Sequence, residues 1–332
     1  MQSMFGRAFC FFIVPLFVFV VGPSGAVNAQ PAKSVTLPQT ITIVFAGGAG
    51  GGGDVQARLV ARYLPKYLSG GPTIVVKNDT GAGLRAGVQT VFRSKPDGSV
   101  VGGSYTPSSL GNEAIYGAEA GYDFSKFVLL ISTYHQPYTI SVGPQTPYKS
   151  LEDLRKAGKS ITFCNEGGGI SLAYTVIAAK EAGFSYRSIP GYAGAPAGVA
   201  GMLRGDCEAV SYGIEFTQRY LKEGARPIAV HALERHEIWP NVPTSKEQGY
   251  PLDLQINLVL YLPPGTPSEI ANAYREGLAK LYKDQEFLEA VRKAKLTPTF
   301  ADTKETQRIV SELAKLYSKY AADLREAEAR IK

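Results

Sequence analysis

Short apolar runs alternate with segments whose apolar residues recur every three or four positions, and this holds along most of the chain. The runs read as β-strands and the periodic segments as amphipathic helices. Ile41–Phe45 predicts a first strand, and Val55–Leu68 a first helix, with Val55, Leu59, Tyr63 and Tyr67 on one face. Pro65 is expected to kink that helix or open its last turn. Thr73–Val76, Leu84–Arg93 and Val100–Gly103 then complete a β-α-β-α-β unit.

After a long irregular stretch the pattern restarts. Tyr138–Val142, Ser160–Phe163, Ser188–Pro190, Ala209–Ser211 and Pro227–Val230 read as strands, and Leu151–Ala157, Ser171–Ala182 and Pro196–Arg204 as the helices between them. A strand near Gln255–Leu262 leads into two long helices. Thr266-Pro267-Ser268-Glu269 has the form of a capping box at the start of the first. The last is expected to bury Ile309, Leu313, Leu316, Tyr320 and Leu324 in one stripe. Alternation of this kind predicts an α/β fold. Its simplest layout is two lobes facing across a ligand cleft, residues 30–137 plus 254–332 and residues 138–253. Open α/β sheets bind ligands at the carboxyl ends of their strands, and such a cleft closes by hinge motion.

The N-terminus adds a compartment. Arg7 is followed by the apolar run Phe9–Val21, 13 residues long, then by Gly22-Pro23-Ser24-Gly25 and Val27-Asn28-Ala29. That is the pattern of a cleavable signal peptide, residues 1–29, and the run is too short to span a bilayer. The sequence therefore predicts export to the periplasm. About 303 residues remain, enough for two domains. Removing Arg7 takes the formal net charge from +6 to +5. There is no basic stripe interleaved with aromatics, so nucleic acid is not an expected partner. Cys10 leaves with the signal. Cys164 ends one expected strand and Cys207 begins another, which puts them at opposite sheet edges if the strands are parallel neighbours; two free, buried thiols are expected.

The candidate chemistry begins in Gly47-Gly48-Ala49-Gly50-Gly51-Gly52-Gly53-Asp54, between the first strand and helix. Glycines there let backbone amides approach a ligand, and a helix N-terminus favours an anion. Asp54, read as the N-cap, competes for those amides. Gly48, Gly50 and Gly53 formally match G-x-G-x-x-G, with Asp79 after the second strand. Six glycines in seven positions match many glycine motifs, however, and an exported chain lacks a nucleotide supply, so the dinucleotide reading is set aside. Ala157-Gly158-Lys159-Ser160 precedes a strand and has Asp153 where a P-loop needs glycine. No G-x-S-x-G elbow occurs. His135, His231 and His236 lack ligand spacing, the last two falling in what reads as a surface loop. No cofactor, metal site or catalytic residue is expected.

Three further loops follow strands and are rich in small residues: Thr80-Gly81-Ala82-Gly83, Asn165-Glu166-Gly167-Gly168-Gly169 with Ser171, and Gly191-Tyr192-Ala193-Gly194-Ala195. Each can present amides at a helix start, and four such loops across two lobes favour a shared site. The expected ligand-binding set is Phe45, Gly47, Gly50, Gly51, Gly52, Asp54, Thr80, Gly81, Ala82, Arg85, Ser104, Asn165, Glu166, Gly168, Ser171, Tyr192, Gly194 and Glu215.

These residues carry a family likeness. Phe45-Ala46 leading to Gly53-Asp54, Asn78-Asp79-Thr80-Gly81-Ala82-Gly83, Pro96-Asp97-Gly98 and Tyr122-Asp123-Phe124 with Phe127 stand in the order of a known pattern. Pro190 through Pro196, Gly205-Asp206, Pro240-Asn241-Val242-Pro243-Thr244 and Pro263-Pro264-Gly265-Thr266-Pro267 continue it. The chain resembles the Bug-type (TctC-like) extracytoplasmic receptors of tripartite tricarboxylate transporters. The resemblance implies a two-lobed type II periplasmic binding fold and no enzymatic activity. It implies a monomer that holds a small carboxylate by backbone amides and ordered waters and delivers it to membrane subunits. A secreted enzyme acting on a small acid and a ligand sensor for a sensor kinase are the alternatives.

Departures bear on the ligand. The glycine loop is about two residues longer than usual, and Gly53 replaces a customary threonine. Arg85 stands where many members have asparagine, and Ser171 falls near a frequent histidine. Glu166 and Glu215 place acid in an expected anion site. If either faces the cleft, the ligand is expected to carry a positive or neutral donor group, as an amino acid or amide does.

Overall fold

A computed structural model describes residues 35–331; the signal-peptide assignment lies outside the described residues. The strands are β1 (Thr40–Ala46), β2 (Thr73–Asn78), β3 (Val100–Tyr105), β4 (Val128–Val142), β5 (Ile161–Cys164), β6 (Tyr186–Ile189), β7 (Ala209–Gly213), β8 (Arg226–Val230) and β9 (Gln255–Leu262). They join in the order β2-β1-β3-β9-β4-β7-β5-β6, with β8 also on β4. The helices are α1 (Gly52–Tyr63), α2 (Arg85–Phe92), α3 (Thr106–Tyr116), α4 (Leu151–Lys156), α5 (Gly169–Ala182), α6 (Ala195–Arg204), α7 (Ile214–Thr217), α8 (Ser268–Leu281), α9 (Gln285–Lys293), α10 (Thr303–Lys319) and α11 (Ala321–Ala329).

β1 pairs in parallel with β2 and β3, and β5 in parallel with β6 and β7, as expected of β-α-β units. β4 and β9 run antiparallel between these two groups. The partner change is sharp: Pro137 is the last β4 residue paired with β9, opposite Gln255, and Tyr138 the first paired with β7, opposite Gly213. Alternate residues of the first group face opposite sides, as strand geometry requires. Ile41, Ile43, Val101 and Leu260 pack with Val60, Tyr274, Leu278 and Phe287 of α1, α8 and α9. Val44, Val259 and Tyr261 pack with Val88, Leu110, Leu313 and Tyr317 of α2, α3 and α10. With both faces covered, these strands are apolar almost throughout.

The structure corrects several expectations. α1 ends at Tyr63, and Pro65 sits in a 3₁₀ turn over Leu64–Tyr67, because proline has no N–H to continue the ladder. The stretch read as irregular contains α3 and the first ten residues of β4. Polar residues and Pro137 disguised the strand; it shifts register between Thr133 and Gln136, where Tyr134 adopts φ 56°. The capping box does not form: the helix starts at Ser268, and Thr266 donates to Pro263 O instead. Four helices, not two, follow β9. The buried stripe of α10 is Thr306, Val310, Leu313 and Tyr317, one position from that expected at Ile309 and Leu316. His231 is fully buried, with Nδ1 2.6 Å from Ser245 Oγ, and is no surface-loop residue.

The cysteines also differ from expectation. Cys164 and Cys207 form a disulfide with a Cα–Cα distance of 5.7 Å. β5 and β7 are parallel neighbours but staggered, with Phe163 opposite Ala209. The end of β5 therefore lies beside the start of β7, and the thiols meet.

Candidate functional site

The described residues enclose several cavities, three of which are large enough to hold a small molecule. One of about 430 Å³ lies by His135, Asp253, Glu305, Arg308 and Glu312, and one of about 790 Å³ between α3 and α10. Neither receives the glycine loops. The third, about 490 Å³, does: Gly51 and Gly52, Gly83 and Leu84, Tyr105, Pro107 and Ser108, and Glu166 through Ser171 all line it. Those residues are the starts of α1, α2, α3 and α5. None of these four helices has a side-chain cap, whereas Ser150, Asp284 and Asp302 cap α4, α9 and α10 elsewhere. Within these turns the Gly53 N–H is taken by the Tyr105 hydroxyl and those of Arg85 and Ala86 by Ala82 O and Gly81 O, so what the four starts share toward the cavity is the positive end of each helix.

The glycine loop is seated on aromatic rings. Phe45 meets Tyr105 edge-on at 5.6 Å between centroids, and Tyr105 lies 6.2 Å from Tyr134. A Cβ at Gly52 would sit 2.6 Å from the Tyr134 hydroxyl, and one at Gly53 2.4 Å from that of Tyr105. The Tyr105 hydroxyl instead accepts the Gly53 N–H at 2.9 Å. A tyrosine hydroxyl thus occupies the space that a side chain at 53 would fill.

Asp54 is not an N-cap. α1 begins two residues earlier, and the buried Asp54 carboxylate accepts from Gly50 N (2.9 Å), Arg58 Nε (3.0 Å) and Asn78 Nδ2 (2.9 Å). Burial raises its pKa, but Arg58 and the hydrogen bonds outweigh this and hold the carboxyl below the usual range. Asn78 also donates to Gly47 O at 3.0 Å. Asp54 therefore braces the loop from behind.

The remaining expected site residues divide. Gly51, Gly52, Glu166, Gly168 and Ser171 line the cavity. Phe45, Gly47, Gly50 and Asp54 support the loop from beneath. Ser104 is buried, accepting from Ser109 Oγ. Asn165 is buried and shapes its loop by accepting the Gly167 N–H at 2.9 Å. Thr80, Gly81 and Ala82 form an exposed turn ahead of the lining residues. Arg85 stacks over the Tyr116 ring at 3.7 Å from its centroid and donates to Ala82 O. Tyr192 packs on Gly201 and donates to Asp206, away from the lining, and Gly194 serves as the α6 N-cap.

Glu215 stands behind the lining, its Oε1 accepting the Tyr134 hydroxyl at 2.8 Å. Its other oxygen is buried without a partner among the described residues, and burial raises its pKa. Glu166 faces the cavity itself. Its side chain is solvent-exposed at the cavity opening, and the protein packed around it raises its pKa. The Ser171 hydroxyl donates to its Oε2. Glu328, accepting the Tyr116 hydroxyl at 3.1 Å, is the second lining acid. None of the described lining residues is Lys, Arg or His.

Sequence reasoning missed the α3 wall, Tyr105 through Tyr116, and also Tyr134, Tyr138, Phe216 and Ile256. The signal for α3 was present: Thr106-Pro107 directly follows a strand, and proline suits a helix's first turn. Tyr134 carried none, since its place depends on the β4 bulge.

The chain is similar to several known proteins. Protein BugT of Bordetella pertussis is 24% identical over 315 residues, covering 92% of this chain and 94% of that one. A TctC solute-binding protein from Polaromonas superposes with a TM-score of 0.72 at 24% identity, covering 86% of this chain and 98% of its own. The periplasmic binding protein BugD gives 0.68 at 23%, covering 86% and 97%. Two Rhodopseudomonas palustris structures were solved with acids: MatC with bound malate (0.66, 21%, covering 87% and 98%) and another with adipate (0.69, 21%, covering 86% and 97%). The family model for the tripartite tricarboxylate transporter family receptor, TctC, matches residues 56–320. By that match the chain belongs to this family of non-catalytic solute-binding receptors, and its mixed α/β architecture is their periplasmic-binding-protein fold.

Proposed function

We propose that this chain captures a small carboxylate-bearing metabolite in the periplasm and delivers it to the membrane subunits of a tripartite tricarboxylate transporter. The observation that carries this reading is the convergence of four uncapped helix starts on one cavity whose described lining contains no cationic side chain. A carboxylate there is held by backbone N–H groups and helix ends, with water bridging where the amides do not reach. The malate and adipate of the two relatives are ligands of that chemical kind.

The reading includes two lobes, residues 30–137 plus 254–332 and residues 138–253, moving about the Pro137–Gln255 crossing. Its support is the partner change in β4 and the origin of the cavity walls. Gly51 through Tyr116 come from one side of that change, and Glu166 through Phe216 from the other.

A thermal-shift screen of the mature chain against small mono-, di- and tricarboxylates, amino acids and aromatic acids tests the proposal. A true ligand at a hundred times its Kd stabilises by about 2.7 kcal/mol and raises Tm by several degrees. Flat melting curves across the whole panel would sink it.

A further inference from the structure

The cavity has two unlike walls. At one, the starts of α1, α2 and α3 present uncapped first turns around Gly52, Leu84 and Ser108. At the other stands Glu166, just ahead of α5, and its carboxylate accepts the Ser171 hydroxyl without capping the helix. The lining also includes the apolar and aromatic side chains of Tyr138, Ile115, Ile256 and Phe216. A dicarboxylate spanning this cavity would set its second carboxylate near Glu166, in walls that supply no described lining cation. Two carboxylates brought together there repel each other.

We infer that Glu166 is a specificity determinant that receives a protonated amine, so that the cargo is a zwitterion: one carboxylate, one ammonium group and a partly apolar body. The inference rests on the receptor reading above and names the ligand class of the same site. An ammonium group donating to Glu166 forms a charge-assisted hydrogen bond. It also relieves the cost of holding that carboxylate among protein walls, a cost visible in the raised pKa of the group. Ser171 acts through Glu166, as a positioning residue. The cavity, at about 490 Å³, lies within the range that encloses small-molecule ligands.

The test is isothermal titration calorimetry of the mature chain with shape-matched pairs that differ in the amine. Suitable pairs are L-phenylalanine with 3-phenylpropanoate and L-glutamate with glutarate, alongside malate and adipate. The amine-bearing member of at least one pair is expected to bind tenfold or more tightly than its partner. E166Q is expected to erase most of that ratio, chiefly by weakening the amine-bearing member. S171A, which keeps the charge, should retain a preference for the amine. Malate or adipate binding tightly while every amine-bearing probe binds worse than its deamino partner overturns the inference and leaves the receptor reading standing. An unchanged ratio in a folded E166Q, checked by its melting curve, also overturns it. If E166Q does not fold, the wild-type ratios decide alone. Failure of all probes overturns both readings.

Discussion

Gly53 illustrates how one position can be set by neighbours far away in sequence. Within α1 an alanine is favoured over glycine by about 1 kcal/mol of helix propensity. Here its Cβ would lie 2.4 Å from the Tyr105 hydroxyl and 2.8 Å from Phe45 Cζ. Overpacking of that kind costs about 1–3 kcal/mol. Phe45 is fully buried and the Tyr105 hydroxyl holds the Gly53 N–H, so neither ring can yield cheaply. Gly53→Ala is therefore expected to lower stability by up to about 2 kcal/mol in urea denaturation and to weaken ligand binding by displacing the loop. A variant as stable as the parent would show that the rings move freely. The same crowding explains why this chain does without a side chain at 53.

At the scale of elements, the disulfide ties the end of β5 to the segment entering β7, just before the Glu166–Ser171 wall of the cavity. It closes a long loop, with a sequence separation of 43. The chain-entropy account gives about 4 kcal/mol for a loop of that length, and measured losses commonly fall at about 2–4 kcal/mol. The Cys164→Ala/Cys207→Ala double variant should lose about that much in non-reducing denaturation. Dithiothreitol should then destabilise the parent and leave the variant unchanged. Equal midpoints for parent and variant would contradict it. An oxidising periplasm is a compartment in which such a bond persists.

At the scale of the molecule, β4 and β9 are the elements that cross between the two strand groups. Their pairing ends at Pro137–Gln255, where Pro137 brings no N–H and β4 changes partner. A short crossing of this kind suits rigid-body closure of two lobes. Small-angle scattering of the mature chain should therefore give a smaller radius of gyration when a ligand found in the thermal screen is added. An unchanged value with ligand bound would argue for a preformed, static cleft.

The strands and helices of the β-α-β units were legible in the sequence because their periodicity is strong and local. So were the glycine loops at the strand ends, since tight backbone approach demands glycine wherever the fold goes. The ordered landmarks from Phe45 to Pro267 carried the family resemblance that the family match supports. What tertiary structure alone decided was set by long-range register. The stagger of β5 against β7 brought Cys164 to Cys207, and the bulge in β4 put Tyr134 beneath Gly52. The start of α1 at Gly52 turned Asp54 from a supposed cap into a brace held by Asn78 and Arg58. Of the charged residues in question, packing sent Glu215 behind Tyr134 and Arg85 onto Tyr116, and left Glu166 facing the cavity. Local sequence sets where a chain can turn or cap. Which side chain reaches a shared cavity depends on partners a hundred residues away, and no local pattern encodes them.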